Sequence, residues 1–255
     1  MMIFSVCIDA VFKGMDQAEA LGKVAEAGFG EYEFWGWWDK DIDALAARAA
    51  SLSLSCRALC TRFKSLVDPG EMDAYLEGLE ETAAAAKKLG ARFIISQTGI
   101  DTGSPPAVQH RQAVKGLKTA SSLLEGTGLT LLVEPLNRRV DHPGAWLESS
   151  DEGLRLIDET GSDHVRLLFD LYHQQISEGD IERRVRAGMD YIGHFHCAGI
   201  SGRHELEKGE LDYRWIFELA ESLGYGGAFG LEYFPLEDPL AGLRRVREQY
   251  GSAFN

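Results

Sequence analysis

Short apolar runs recur along the chain, each followed by a polar residue or two and then by a longer stretch of helical periodicity. The runs IFSVCID (3–9), EYEFW (31–35), LSCRALC (54–60), RFIISQ (92–97), LTLLVEP (129–135), VRLLFD (165–170), YIGHFHC (191–197) and AFGLEYF (228–234) predict eight strands. Most are continuous rather than alternating, the pattern of strands covered on both faces. The segments between them read as helices. DQAEALGKVAEAG (16–28) puts Leu21, Val24 and Ala25 on one face behind an Asp16/Glu19 capping pair. SSDEGLRLIDETG (149–161) repeats the device with Ser149, Glu152, Leu154 and Ile157, and closes on Gly161. KKLG (87–90) and ESLG (221–224) are further glycine-terminated helix ends, and TAAAAKK (82–88) reads as a helix interior.

Eight strands alternating with eight helices over 255 residues predict a (β/α)8 TIM barrel, a single α/β domain over residues 1–255 with no linker or composition break. A doubly wound open sheet is the alternative. It usually opens on a glycine-rich phosphate turn, and the first turn here, IDAVFKGMDQ, holds neither GxGxxG nor GxxxxGK. Two strand-to-helix connections are long, LNRRVDHPGAWLE (136–148) and AGISGRHELEKGELD (198–212). Long loops in compact domains are usually functional, and in a barrel these lie on the C-terminal face.

Composition narrows the function classes. Hydrophobic residues make up 45 % of the chain, as in a globular protein. No apolar run approaches the roughly 18–20 residues of a membrane span. The N-terminus MMIFSVCIDA lacks a basic region and is interrupted by Asp9, so it reads as a first strand and not as a signal peptide. Four cysteines (Cys7, Cys56, Cys60, Cys197) without CxxC spacing suggest reduced, buried thiols and a cytoplasmic protein. The net charge of −14 argues against a nucleic-acid partner, because phosphate attraction dominates such binding.

The candidate chemistry lies at the strand ends. Strand five ends at Glu134, strand six at Asp170, strand seven around His196 and strand eight near Glu232. In a closed barrel these four ends converge on one side of the mouth. Three carboxylates in one dry cavity repel one another, and a divalent cation removes the conflict. Three oxygens and one imidazole suit Mn2+, Mg2+ or Co2+, with Zn2+ also compatible. His194, one pleat deeper on the same face, reads as a core histidine or one that orients a carboxylate. His173, three residues past Asp170, reads as a substrate contact rather than a plain helix-end residue. Arg203 is either a surface arginine or the local cation for an anionic or polyol substrate. Trp35, Trp37 and Trp38 could wall the mouth or form an oligomer contact.

Five segments, VEPLNRRVDHPGAWL, LLFDLYHQQISEGDI, IGHFHCAGISGRHE, KGELDY and YGGAFGLEYFP, together resemble the hydroxypyruvate isomerase family of the xylose isomerase-like TIM barrels. The resemblance covers most of the chain and is densest over 131–235. It implies a metal held at Glu134, Asp170, His196 and Glu232, with Glu134 and Glu232 also moving protons through a cis-enediolate. It implies that His173 and Arg203 contact the substrate, a small hydroxy-keto acid or a ketose, and it suggests a homo-oligomer. The third metal position reads GHFH, as in the related ketose 3-epimerases, where hydroxypyruvate isomerases often carry GHIQ. CAGISGRHE also departs from the usual ADNPGRHE, with the GRHE core intact. A ketose 3-epimerase, a 2-oxo-tetronate isomerase, an abasic-site endonuclease and a catalytically dead sugar sensor are the rival readings.

Overall fold

A computed structural model describes residues 2–200 and 202–251. Eight parallel strands close into a barrel in chain order: β1 (Ile3–Cys7), β2 (Glu31–Phe34), β3 (Ser55–Cys60), β4 (Phe93–Ser96), β5 (Thr130–Val133), β6 (Val165–Asp170), β7 (Ile192–Cys197) and β8 (Ala228–Leu231). Ten α-helices occur among the described residues, two more than the sequence pattern predicts. The first extra is a single turn, Ile8–Val11, which follows directly on β1 and ends that strand at Cys7. The second arises because the sixth helical stretch divides into Leu171–Ser177 and Ile181–Gly188. Gly179 and Asp180 between them take φ of 65° and 51°, a left-handed pair through which no α-helix can continue. No helix among the described residues is long and apolar enough to cross a membrane.

The helix ends follow the capping residues. Asp16 accepts from the backbone N–H groups of Ala18 and Glu19, and Ser149 accepts from that of Glu152. Glu152 turns instead to His110 Nδ1 at 2.6 Å and to Arg155 at 2.8 Å. Gly90 and Gly161 close their helices in the left-handed conformation.

The core has two parts. The larger fills the shell between strands and helices. Inside the barrel, Ala58, Cys60, Phe93, Ile95, Leu132 and Leu168 form a smaller apolar cluster with Trp35 against it. The rest of the interior, from β7, β8, β1 and β2, is polar and holds His194, His196, Ser5 and Glu33, all buried, around Gly230. All four cysteines are buried and free.

The long loop after β7 folds back on itself. Gly199 and His204 exchange backbone hydrogen bonds of 2.8 and 3.3 Å, and Glu210 N–H donates to Ile200 C=O at 3.1 Å. A Cβ on Gly199 would strike the carbonyl oxygen of Glu205 and lie 2.6 Å from that of Lys208. Both are backbone atoms that no rotamer change can clear. Gly199→Ala is therefore expected to destabilise the protein by about 1–3 kcal/mol and to raise amide hydrogen exchange across 198–212. Unchanged thermal stability and exchange would show that the close approach is dispensable.

Candidate active site

Sheet register, more than loop conformation, assembles the site. Asp170 is the last residue of β6, and its Cα partner across the ladder is His196 of β7. His196 in turn pairs with Gly230 of β8, two residues before Glu232. Glu134 and Glu232 lie one residue past β5 and β8, yet their backbone N–H groups still bond to the neighbouring strand, at Ser96 C=O and Cys197 C=O, both at 3.1 Å. The four expected residues thus meet. Glu134, Asp170, His196 and Glu232 are all buried, and one ligand atom of each lies within 4.8 Å of the others.

One cation, Arg203, and one neutral donor, Trp35, face these three carboxylates. Arg203 is buried in the loop after β7, with its own φ at 59°. Its guanidinium donates to a Glu232 carboxylate oxygen, stands 3.5 Å from Asp170 Oδ2, and lies 5.2 Å from the centre of the Tyr172 ring. Trp35 Nε1–H donates to the other Glu232 oxygen. Burial pushes the Glu134 carboxyl up, and the charge of Glu232 adds to the effect. Asp170 also rises, mainly through burial, against the pull of Arg203. Glu232 goes the other way: burial would raise it, but Arg203 and His196 outweigh burial and hold it well below the carboxylate range. Burial would lower His196, but Glu33 and Glu232 outweigh it and the imidazole is raised.

The residues present fit a divalent cation. His196 Nδ1 is buried without a hydrogen-bond partner, 3.2 Å from Glu232 Oε2, on the side where the carboxylates converge. One imidazole nitrogen grouped with three carboxylate oxygens is the donor set of a hard or borderline dication, whose binding would displace the imidazole proton.

His173 and Arg203 both line the inner pocket, a cavity of about 190 Å3 that also takes in Trp35, Glu134, His196 and Glu232. His173 is held neutral: burial and then the charge of Arg203 push its pKa well down. The inner pocket opens past Phe63, Gln97, Leu136 and His142 into an outer chamber of about 810 Å3. Trp35 parts from Trp37 and Trp38, whose rings pack edge-on at 6.1 Å between centroids. Trp35 enters the pocket, Trp37 Nε1–H donates to Thr82 Oγ1 at 2.9 Å, and Trp38 packs edge-on against the exposed Phe63 at the rim.

Glu33 is the buried residue that the sequence reading passes over. Its carboxylate accepts from Ser5 Oγ–H at 2.8 Å and from His194 Nε2 at 3.0 Å, and its other oxygen lies 3.0 Å from His196 Nε2. Burial would raise Glu33, but the charges of His196 and His194 outweigh it and hold the carboxyl well below its usual range. His194 therefore does orient a carboxylate, one beneath the cluster and not within it. The available signal was parity, since two inward-facing histidines need a buried acceptor. Gly230 leaves the room, because a Cβ there would overlap Glu33 Oε1 and come within 2.5 Å of His196 Cδ2.

Residues 21–249 match the family model described as Xylose isomerase-like TIM barrel. A 2-oxo-tetronate isomerase of Cupriavidus necator is 38 % identical over 138 residues, which span 54 % of this chain and 53 % of that protein, so the match covers about half of that relative. The hydroxypyruvate isomerase of Escherichia coli is 30 % identical over 96 % of this chain and 98 % of its own. Among solved structures, one titled AP endonuclease, family 2, from Brucella melitensis superposes with a TM-score of 0.93 at 27 % identity, covering 98 % of this chain and 99 % of that one.

The donor set predicts one high-affinity site per chain for Mn2+. At about 100 times its Kd the ion should stabilise the fold by roughly 2.7 kcal/mol, and EDTA should reverse this. Asp170→Asn keeps the oxygen that accepts from the Tyr172 and His173 N–H groups, and it should weaken binding at least about tenfold. Calorimetry that finds no binding, or unchanged binding in the variant, would remove the metal reading.

Proposed function

The chain belongs to the xylose isomerase-like TIM barrels and, within them, to the hydroxypyruvate isomerase family, and on that premise we propose that it interconverts hydroxypyruvate and tartronate semialdehyde by metal-assisted proton transfer. The observation that carries the reading is the pair of buried glutamates, Glu134 past β5 and Glu232 past β8, which line one pocket and bring carboxylate oxygens within 4.8 Å of each other. Glu134, Asp170, His196 and Glu232 would hold a divalent cation, which would supply Lewis-acid polarisation of a carbonyl, worth several kcal/mol.

The chain's own groups do the rest. One glutamate takes a proton from the hydroxymethyl carbon of hydroxypyruvate, leaving a cis-enediolate. A glutamate returns a proton to the adjacent carbon, and the hydroxyl proton moves from one oxygen to the other. The net change is one C–H and one O–H shifted across a single bond. His173 and Arg203 hold the substrate oxygens. Trp35, Cys60 and Ile95 wall the pocket and exclude water. A positioned carboxylate base contributes about 10²–10⁴ in rate.

A second reading, a ketose 3-epimerase, uses the same site with a different C–H aligned. Histidine at position 196 favours it, as does the outer chamber, which leaves room for a longer carbon chain. An L-ribulose 3-epimerase of Mesorhizobium japonicum is 29 % identical over 85 % of this chain and 75 % of its own. A net charge of −14 supports a small-molecule substrate over the nucleic acid that the name of the Brucella melitensis protein suggests.

Proton NMR in D2O with Mg2+-loaded protein tests the assignment on hydroxypyruvate, a 2-oxo-tetronate and a panel of ketoses. Metal-dependent deuterium uptake and aldehyde formation from hydroxypyruvate are expected, whereas exchange only in a ketose would move the protein to the epimerases. Glu134→Gln and Glu232→Gln should each lower turnover by at least about 10²-fold, and turnover surviving in both would sink the two-glutamate mechanism.

A further inference from the structure

We infer that Asn137 fixes His173 in the tautomer that carries its proton on Nε2, so that Nε2–H points into the inner pocket as a hydrogen-bond donor. The role in catalysis rests on the function proposed above; the tautomer does not.

Asn137 is fully buried at the start of the loop after β5. Its side-chain amide has one possible orientation. Oδ1 accepts from the backbone N–H groups of Val140 at 3.0 Å and Asp141 at 3.1 Å. The opposite orientation would set an NH2 group against two backbone donors. Nδ2 therefore carries the two hydrogens that remain. One goes to Asp141 Oδ2 at 2.7 Å and the other to His173 Nδ1 at 2.6 Å. The Asn137 backbone N–H approaches the same nitrogen at 3.4 Å. A ring nitrogen facing two donors holds a lone pair, so the imidazole proton sits on Nε2.

The far side of the ring agrees. Nε2 is buried and has no hydrogen-bond partner among the described residues, with Asp170 Oδ2 3.5 Å away. Tyr172 and His142 pack edge-on against the ring at 5.4 and 5.2 Å between centroids and hold its plane. The result is a rigid, neutral donor on the wall of a cavity that also holds both candidate proton-transfer glutamates. A neutral N–H can stabilise charge developing on a substrate oxygen without giving its proton away. Asn137 is a positioning residue in this scheme, acting through His173.

Asn137→Asp combined with Asp141→Asn separates this role from loop folding. The acceptor for the two backbone N–H groups is kept. The side chain–side chain bond between positions 137 and 141 is kept with its direction reversed. The group facing His173 Nδ1 changes from donor to acceptor and the loop's single negative charge moves from position 141 to 137, while an amide oxygen at position 141 remains available to the Tyr172 hydroxyl. The readout is the ring nitrogen spectrum of protein labelled with 15N-histidine, with Mg2+ present, and His173 is identified among the seven histidines by its loss in His173→Gln. Wild type should show an unprotonated Nδ1 and a protonated Nε2, and the double variant the reverse. Turnover should fall about 10²–10³-fold, the cost of losing one such donor, with the Kd for Mg2+ unchanged. A protonated Nδ1 in the wild type overturns the tautomer, whatever the variant does. A reversed tautomer with full turnover overturns the positioning role. A wild type inactive on every substrate rejects the proposed function, and its spectrum still decides the tautomer.

Discussion

Like charge confined in a dry pocket governs this structure. Glu134, Asp170 and Glu232 bring carboxylate oxygens within 4.8 Å of one another. Two full charges at that spacing repel by about 3–4 kcal/mol at an effective dielectric of about 20, and three make three such pairs. Each neighbouring feature answers that repulsion. Arg203, within the loop after β7, takes a left-handed backbone conformation and turns its side chain inward to bond Glu232. His196 takes on positive character, and Glu134 and Asp170 are driven towards their neutral forms. A dication relieves the same stress more completely, since it allows all three carboxylates to be ionised at once.

The interior of the barrel is divided to suit. On the β3-to-β6 side it packs apolar side chains as an ordinary barrel core does. On the other side, Ser5, Glu33, His194 and His196 build a polar layer beneath the cluster, where Glu33 gathers the bonds that its neighbours supply. Gly230 makes that layer possible by contributing nothing. The apolar half keeps the pocket dry and the polar half keeps the imidazole of His196 at a fixed angle, so stability and site geometry come from the same layer of side chains.

Strands β1 to β8 were legible because each is a compact apolar run, and the four cluster residues because each is the last inward polar residue of such a run. Glu33 was hidden by its context. EYEFW alternates acid and aromatic in the way of a half-exposed strand, and only the barrel's closure turns that acid inward. The divided sixth helix was hidden for a different reason. GlyAsp at 179–180 is a common enough pair, and nothing in its neighbours announces two successive left-handed residues. The contact between Asn137 and His173 spans 36 residues, and such pairings follow from which strands are adjacent rather than from any local pattern. Arg203 could be read either as surface or as site, and its burial against Tyr172 and Glu232 removes the surface reading.

Trp35 gives the molecule an optical property that follows from its hydrogen bond. The chain has five tryptophans, but only the indole of Trp35 is tied to the carboxylate cluster, through Glu232. Indole emission depends on the charge beside the ring nitrogen. Any occupant that draws the Glu232 oxygen away, or that packs against the pocket face of this ring, alters that environment directly. The protein thus carries its own fluorophore at the floor of its pocket, so occupancy of the site can be followed by light without labelling the chain.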